Sequence, residues 1–382
     1  MEQTAEAVII GAGIMGCSVA YHLAARGVRD ILVLERDQIA RGSTSDAAGG
    51  IRLQFSSPTN IELAQRSLDV WQHFEERFGV DIGLRQQGYL FLLRSEPEVA
   101  EFHKNLRLQQ SLGVPARWVT PEEIHELNPV IVLDDVLGGT FCPRDGWADP
   151  FTATMGFASA ARRLGVEIRQ HTPVTGIAVT GERVTGVETS GGRIAAPLVI
   201  ICAGARTRGV GNMAGVEIPV DPYRRMSFVT EPFPAVPSTI PMTIDFQTSL
   251  YFHPEGPGFL FGMSNPEEPS SFRRTVEDEW LLRCVEELAK RAPVFEEARV
   301  KTGWAGLYEI TPDDNPVLGY LDEVSGLVVA AGFSGHGFMQ GPAIGACMAE
   351  LILDGRATTA DIRPFAPARF REGRLAQEHN VV

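Results

Sequence analysis

The sequence predicts a two-domain α/β fold, and three observations carry that expectation. The chain has 382 residues, enough for two to three domains at roughly 150 residues each. It opens on a strand–helix–strand pattern with glycines at the first turn. Two tracts of different texture, residues 85–147 and 219–312, then interrupt a series of short buried-strand patterns.

Taken in order, residues 7–10 (Ala-Val-Ile-Ile) form a continuous apolar run of the length of a buried strand. Gly11-Ala-Gly13-Ile14-Met15-Gly16 follows, then helical spacing through Val19, Leu23 and Ala24, with Gly27 as the stop. A second apolar run, Ile31-Leu-Val-Leu34, ends in Glu35 and Arg36. In such a unit Gly11 permits the tight turn, Gly13 lets the backbone approach a pyrophosphate, and Gly16 lets helix and strand pack closely. The helix start at Ile14 and Met15 presents free N–H groups and positive dipole. Glu35, 19 residues beyond Gly16, is placed to accept ribose hydroxyls. A glycine-rich turn alone is an ordinary loop; the flanking strands, helix and acid make this a Rossmann-like dinucleotide site. The unit by itself does not choose between NAD and FAD.

Three later segments bear on that choice. Gly42-Ser43-Thr44-Ser-Asp-Ala-Ala-Gly49-Gly50-Ile-Arg52 is a loop of small and polar residues able to lie against a cofactor. Residues 197–205 read as a buried strand ending in the small-residue turn Ala203-Gly204-Ala205. Gly326–Gly332 reads as a strand leading into Phe333-Ser-Gly335-His336-Gly337-Phe338-Met339, which precedes a helix with Pro342 near its first turn and Gly355 at its end. Between these lie a polar helix-like stretch over 96–112, with Pro115 and Pro121 as breaks, and a proline-rich strand region. In its Ser249–His253 run, Tyr251 and His253 share one face, and Phe259–Met263 returns antiparallel after a turn.

Together these motifs resemble the D-amino acid oxidase superfamily, in the branch of sarcosine oxidase, glycine oxidase and proline dehydrogenase β-subunits. The marks are the βαβ unit, the Gly42–Arg52 loop, the Ala203–Ala205 turn, the Tyr308-Glu-Ile-Thr-Pro-Asp313 segment and the Gly335-His-Gly-Phe motif. The resemblance covers nearly the whole chain. It implies two interleaved domains: residues 1–84, 148–218 and 313–382 binding FAD, and residues 85–147 and 219–312 forming an antiparallel-sheet substrate domain. It also implies FAD contacts at the residues named above and at Val174 and Gly332.

The resemblance implies oxidation of the C–N bond of a small amino acid or N-alkyl amino acid to an imine, with hydride transfer to flavin N5. Arg52 is then expected to face the substrate carboxylate, the alternative being a surface ion pair or a phosphate contact. Tyr308 and Tyr251 are expected in the pocket, the alternative for each being a core tyrosine. His253 is expected to be exposed, and His336 to serve its loop rather than proton transfer. The helix start after Gly337 would favour the reduced, anionic flavin.

Departures from the family pattern sharpen these expectations. Gly306 stands where the monomeric sarcosine oxidases carry a flavin-linking cysteine, so FAD is expected to be noncovalent. Met339 and, at about the right position, Leu260 stand where they carry flavin-side lysines. A dehydrogenase with an electron-accepting partner subunit or carrier is therefore expected over a strong oxidase. Ala148-Asp149 replaces the histidine–aspartate pair that holds a second flavin in the heterotetrameric enzymes. Readings left open are a hydroxy-acid or glycerol-phosphate oxidoreductase, and a flavin-binding subunit of a hetero-oligomer.

Composition excludes other classes. With 34 basic and 48 acidic residues the chain carries −14, which argues against a duplex nucleic-acid binder. Only Lys104, Lys290 and Lys301 among the 34 basic residues are lysine. Five scattered cysteines, with no zinc spacing, fit no metal site and a reducing cytoplasm. No apolar run reaches the roughly 18 residues of a membrane span, and no signal peptide is expected.

Overall fold

The computed structural model describes residues 3–380, and two large sheets organise it. The first has six strands in the order Val317–Tyr320, Leu327–Ala331, Val199–Ile201, Ala7–Ile10, Ile31–Leu34, Glu167–Arg169. All neighbours are parallel except the edge pair Val317–Tyr320 and Leu327–Ala331. The four inner strands are buried along their whole length, because both faces are covered. Ile9, Val33, Ile200 and Val328 face a core shared with helices Ile14–Ala25 and Gly337–Asp354. Val8, Leu32, Leu34 and Ile201 face Ile177, Val187 and Ile194, which belong to a second, four-stranded sheet. Each such aliphatic side chain contributes about 1.5–3 kcal/mol on burial.

The two helices cross closely. A Cβ on Gly345 would lie 2.1 Å from Ser18 Oγ, and that hydroxyl donates to Gly341 O at 2.9 Å. Here one expectation needs correction. The C-terminal helix already begins at Gly337, so Gly337–Met339 are helical and Pro342 sits inside the helix rather than in its first turn. Proline has no N–H for the carbonyl one turn back. Tight packing against Ile14–Ala25, where Gly341 meets Ile14 and Ser18, holds the helix through that gap.

The second large sheet has eight strands, in the order Val300–Ile310, Asp221–Thr230, Gly258–Met263, Leu250–Glu255, Met242–Asp245, Tyr89–Leu93, Gly138–Cys142, Arg117–Val119. It is antiparallel except where Met242–Asp245 meets Tyr89–Leu93, a parallel pair. The sheet is thus mixed, not purely antiparallel. That seam joins strands far apart in sequence, where no hairpin dictates direction. The hairpin of Leu250–Glu255 and Gly258–Met263 has the expected antiparallel pairing.

Two helix starts show how local chemistry sets boundaries. Ser95 and Glu98 form a reciprocal cap on Glu96–Ser111, and Thr120 with Glu123 does the same for Pro121–Leu127. Pro121 therefore begins a helix instead of breaking one, since a first-turn N–H has no helical partner to lose. No helix among the described residues is long and apolar enough to cross a membrane.

Candidate active site

A cavity of about 610 Å³ lies between the ends of the parallel strands and one face of the eight-stranded sheet. Ile10, Leu34 and Cys202 close it on one side; Arg225, Tyr251 and Tyr308 close it on the other. Carboxyl ends of parallel strands are where α/β sheets bind ligands. Every site residue expected from the sequence lines this cavity except Gly16 and Gly332. Those two serve packing: a Cβ on Gly16 would sit 1.9 Å from Gly11 O, and one on Gly332 2.5 Å from Thr311.

The nucleotide end is built from backbone. Gly11 has φ +107°, and a Cβ there would reach 2.3 Å from Cys202 O. Glu35 is buried and its two carboxylate oxygens accept from Ala12 N at 2.9 Å and Asp37 N at 2.8 Å, which fixes the turn around the strand end. Thr44 Oγ1 accepts from Ile14 N at 3.2 Å, and Ser43 Oγ donates to Leu307 O at 2.6 Å. The Gly42–Arg52 loop thereby ties the helix start to the eight-stranded sheet.

At the opposite end, Arg52, Tyr251 and Tyr308 come together with His336 and Met339. Arg52 is buried, and its guanidinium is already engaged. It donates to Gln54 O at 2.6 Å and to Asn380 O, with its charge 4.2 Å from the Phe55 ring centre. Tyr251 shares a 2.8 Å hydroxyl–hydroxyl hydrogen bond with Ser227. His336 is buried with no hydrogen-bond partner on either ring nitrogen, and burial followed by the nearby Arg52 charge pushes its pKa down to about 3. It is neutral at physiological pH. Burial pushes the Glu309 carboxyl up to about 7, against the hydrogen bond it accepts from Gly332 N at 2.9 Å.

Two expectations fail here. His253 is not exposed: it is wholly buried against Trp147, with ring centres 4.6 Å apart, and lies outside the cavity lining. A strand inside a wide sheet buries its turn-proximal residues too. Leu260 also lies outside the lining, paired with His253 and Val229, so it is no guide to charge beside a flavin. Met339 does line the cavity.

Sequence reasoning missed Arg225 and the C-terminal segment. Arg224 and Arg225 are adjacent on Asp221–Thr230, so alternation sends them to opposite faces. Arg224 is buried between Glu268 and Glu277, whereas Arg225 enters the cavity. The doublet was a readable signal. Glu378 accepts from Ser56 N at 2.8 Å and Asn60 Nδ2 at 2.9 Å, and Asn380 holds Arg52; nothing in that short polar stretch announces burial.

The family model described as FAD dependent oxidoreductase (DAO) matches residues 6–351. The chain belongs to this family. Among solved structures it is similar to L-proline dehydrogenase from P. horikoshii, with 35% identity, TM-score 0.93, and 98% of this chain and 100% of that one covered. Among curated proteins it is 32% identical to human mitochondrial sarcosine dehydrogenase, over 93% of this chain and 40% of that protein. It is 29% identical to sarcosine oxidase subunit beta of an Arthrobacter species, over 98% and 93%. The chain thus spans only about 40% of the human dehydrogenase.

This FAD-dependent oxidoreductase has a cavity that fits its cofactor. The glycine cradle admits backbone-close phosphates, and two helices begin at its wall, at Ile14 and Gly337. The unpartnered His336 nitrogens supply polar atoms for a ligand at the far end.

Proposed function

We propose that the chain oxidises the C–N bond of a small amino acid or N-alkyl amino acid. The substrate loses a proton and a hydride equivalent to become an imine, which water hydrolyses. FAD, when bound, takes the two electrons. Glu35, the Gly11–Gly13 turn and the Gly42–Gly50 loop hold its nucleotide part; Arg52, Tyr251 and Tyr308 stand at the reacting end.

The observation that carries the reading is the charge at that end. Two arginines, the buried Arg52 and the half-buried Arg225, line it with two tyrosines, beside a histidine that burial keeps neutral. Such a site attracts one anion and disfavours a second cation. It therefore binds an amino acid through its carboxylate with the amine deprotonated, the form that can release hydride. The relatives' names, a proline and a sarcosine dehydrogenase, support the same substrate class.

FAD is held noncovalently on this reading, since Gly306 offers no thiol. Acid precipitation should leave all the flavin in the supernatant, and a yellow pellet would contradict it. The preferred electron acceptor is a partner subunit or carrier, a reading supported by the uncharged Met339 in the lining. Residues 85–147 and 219–312 act as the substrate domain, and five buried, unbridged cysteines support a reducing compartment. The test is turnover of sarcosine, proline, glycine and 2-hydroxy acids with dichlorophenolindophenol and with oxygen. Amino acids should reduce the dye at least about tenfold faster than they reduce oxygen. Activity confined to hydroxy acids would overturn the assignment.

A further inference from the structure

Arg225 lines the cavity half-buried, with no anion among the described residues paired to it. Arg224, on the other face of the same strand, pairs with Glu268 at 2.8 Å and Glu277 at 2.9 Å. Arg274, at the cavity wall, pairs with Asp46. Arg52 spends its donors on the carbonyls of Gln54 and Asn380, between Phe55 and Phe91. Among the described residues the one hydrogen bond of Arg225 runs from Nη1 to Arg224 O at 3.0 Å, its Nε has no partner, and no carboxylate pairs with it. Burial lowers its pKa, which is the direction an arriving anion would reverse.

The sheet register explains how it reaches the cavity. Arg225 sits opposite Gly306, and Tyr223 opposite Tyr308. Tyr308, two residues from Gly306, is on the same face, and the guanidinium lies over its ring, 5.0 Å from the centre, while the space above Gly306 is taken by Asp46. Ser227, again on that face, orients the Tyr251 hydroxyl at 2.8 Å. Arg225 thus lines the cavity together with Tyr308 and Tyr251.

We propose that Arg225, not Arg52, makes the direct contact with the substrate carboxylate, and that Arg52 instead anchors the C-terminal segment at the cavity floor. The assignment rests on the amino-acid reading of the site. A carboxylate can take a planar pair of N–H bonds from the free edge of the fork, which gives charge and orientation together. Tyr308 and Tyr251 then bound the space on either side of the substrate.

The test uses the FAD-loaded protein and two non-oxidisable probes, pyrrole-2-carboxylate and pyrrole-2-carboxamide, followed by perturbation of the flavin absorbance. Arg225→Gln should weaken carboxylate binding about 10- to 100-fold, the range for charge-assisted hydrogen bonds, and change carboxamide binding by less than about threefold. Arg225→Lys keeps charge without the fork, so it should recover part of the carboxylate preference. It also serves if the glutamine variant loses FAD. Arg52→Gln should retain the carboxylate-over-carboxamide preference of the unmodified protein. A preference undiminished in both Arg225→Gln and Arg225→Lys, or lost in Arg52→Gln alone, overturns the assignment. Failure of any carboxylate to perturb the unmodified protein overturns the amino-acid reading itself.

Discussion

Glu35 shows how one side chain can hold a turn and line the cavity at once. Its two oxygens hold Ala12 N and Asp37 N, and the same buried carboxylate lines the cavity. Glu35→Ala should therefore leave two backbone donors unsatisfied, each costing about 1–3 kcal/mol. Urea unfolding should show a lower midpoint, and dialysis should strip FAD faster than from the unmodified protein; unchanged retention would show that Glu35 does not reach the cofactor. At this scale the nucleotide end was readable because phosphate binding constrains the backbone itself, leaving glycines at fixed spacing. The substrate end was less so. Arg225 comes to lie beside Tyr308 in the cavity lining only when Asp221–Thr230 and Val300–Ile310 pair. Arg52 lines the cavity as expected, yet its donors go to Asn380 and Gln54, a contact no local pattern announces.

Among the elements, the crossing of Ile14–Ala25 over Gly337–Asp354 sets the position of both helix starts at the cavity wall. A Cβ on Gly345 would meet Ser18 Oγ at 2.1 Å and Ser18 backbone carbon at 2.8 Å. Overpacking of this kind costs about 1–3 kcal/mol. Gly345→Ala should lower the calorimetric midpoint, and Ser18→Ala should rescue part of that loss, since it removes the nearest clash and not the second. Purely additive effects would mean that the helices separate instead of straining locally. Apolar runs announced the inner strands, because burial on both faces demands them. The start of Gly337–Asp354 was misplaced because Pro342 resembles a first-turn proline. Only packing against Ser18 and Ile14 shows that the helix runs through it.

For the whole molecule, three histidines make stability sensitive to acid. His22 and His253 have pKa values lowered to about 4 and His336 to about 3, with burial the largest cause in each. All three stay neutral in the folded chain and become protonated on unfolding below about pH 6.5. Their contribution is present above that pH and is lost as pH falls through 4. Asp145 and Glu309, with carboxyls raised to about 7 by burial, act in the opposite direction over this range, so the histidine contribution is read by comparison: between pH 6.5 and 4 the thermal midpoint of His253→Phe, which keeps a ring against Trp147, should fall less than that of the unmodified protein. The C-terminal segment works at the same scale. Removing residues 375–382 takes away Glu378 and Asn380, so Ser56, Asn60 and Arg52 lose buried partners. Such a truncation should lower the midpoint by several degrees and loosen FAD, and an unchanged protein would show that the segment is a passive cover. The net charge of −14 has little bearing on any of this, because the cavity field is set locally by the arginines that line it.

The central claim is that this cavity oxidises an amino acid through bound FAD, and anaerobic titration of the yellow holoenzyme tests it most directly. About one equivalent of proline, sarcosine or a similar amino acid per flavin should bleach the absorbance near 450 nm, with the imine or its hydrolysis product appearing in equal amount. Flavin that stays oxidised with every amino acid while 2-hydroxy acids bleach it would contradict the claim.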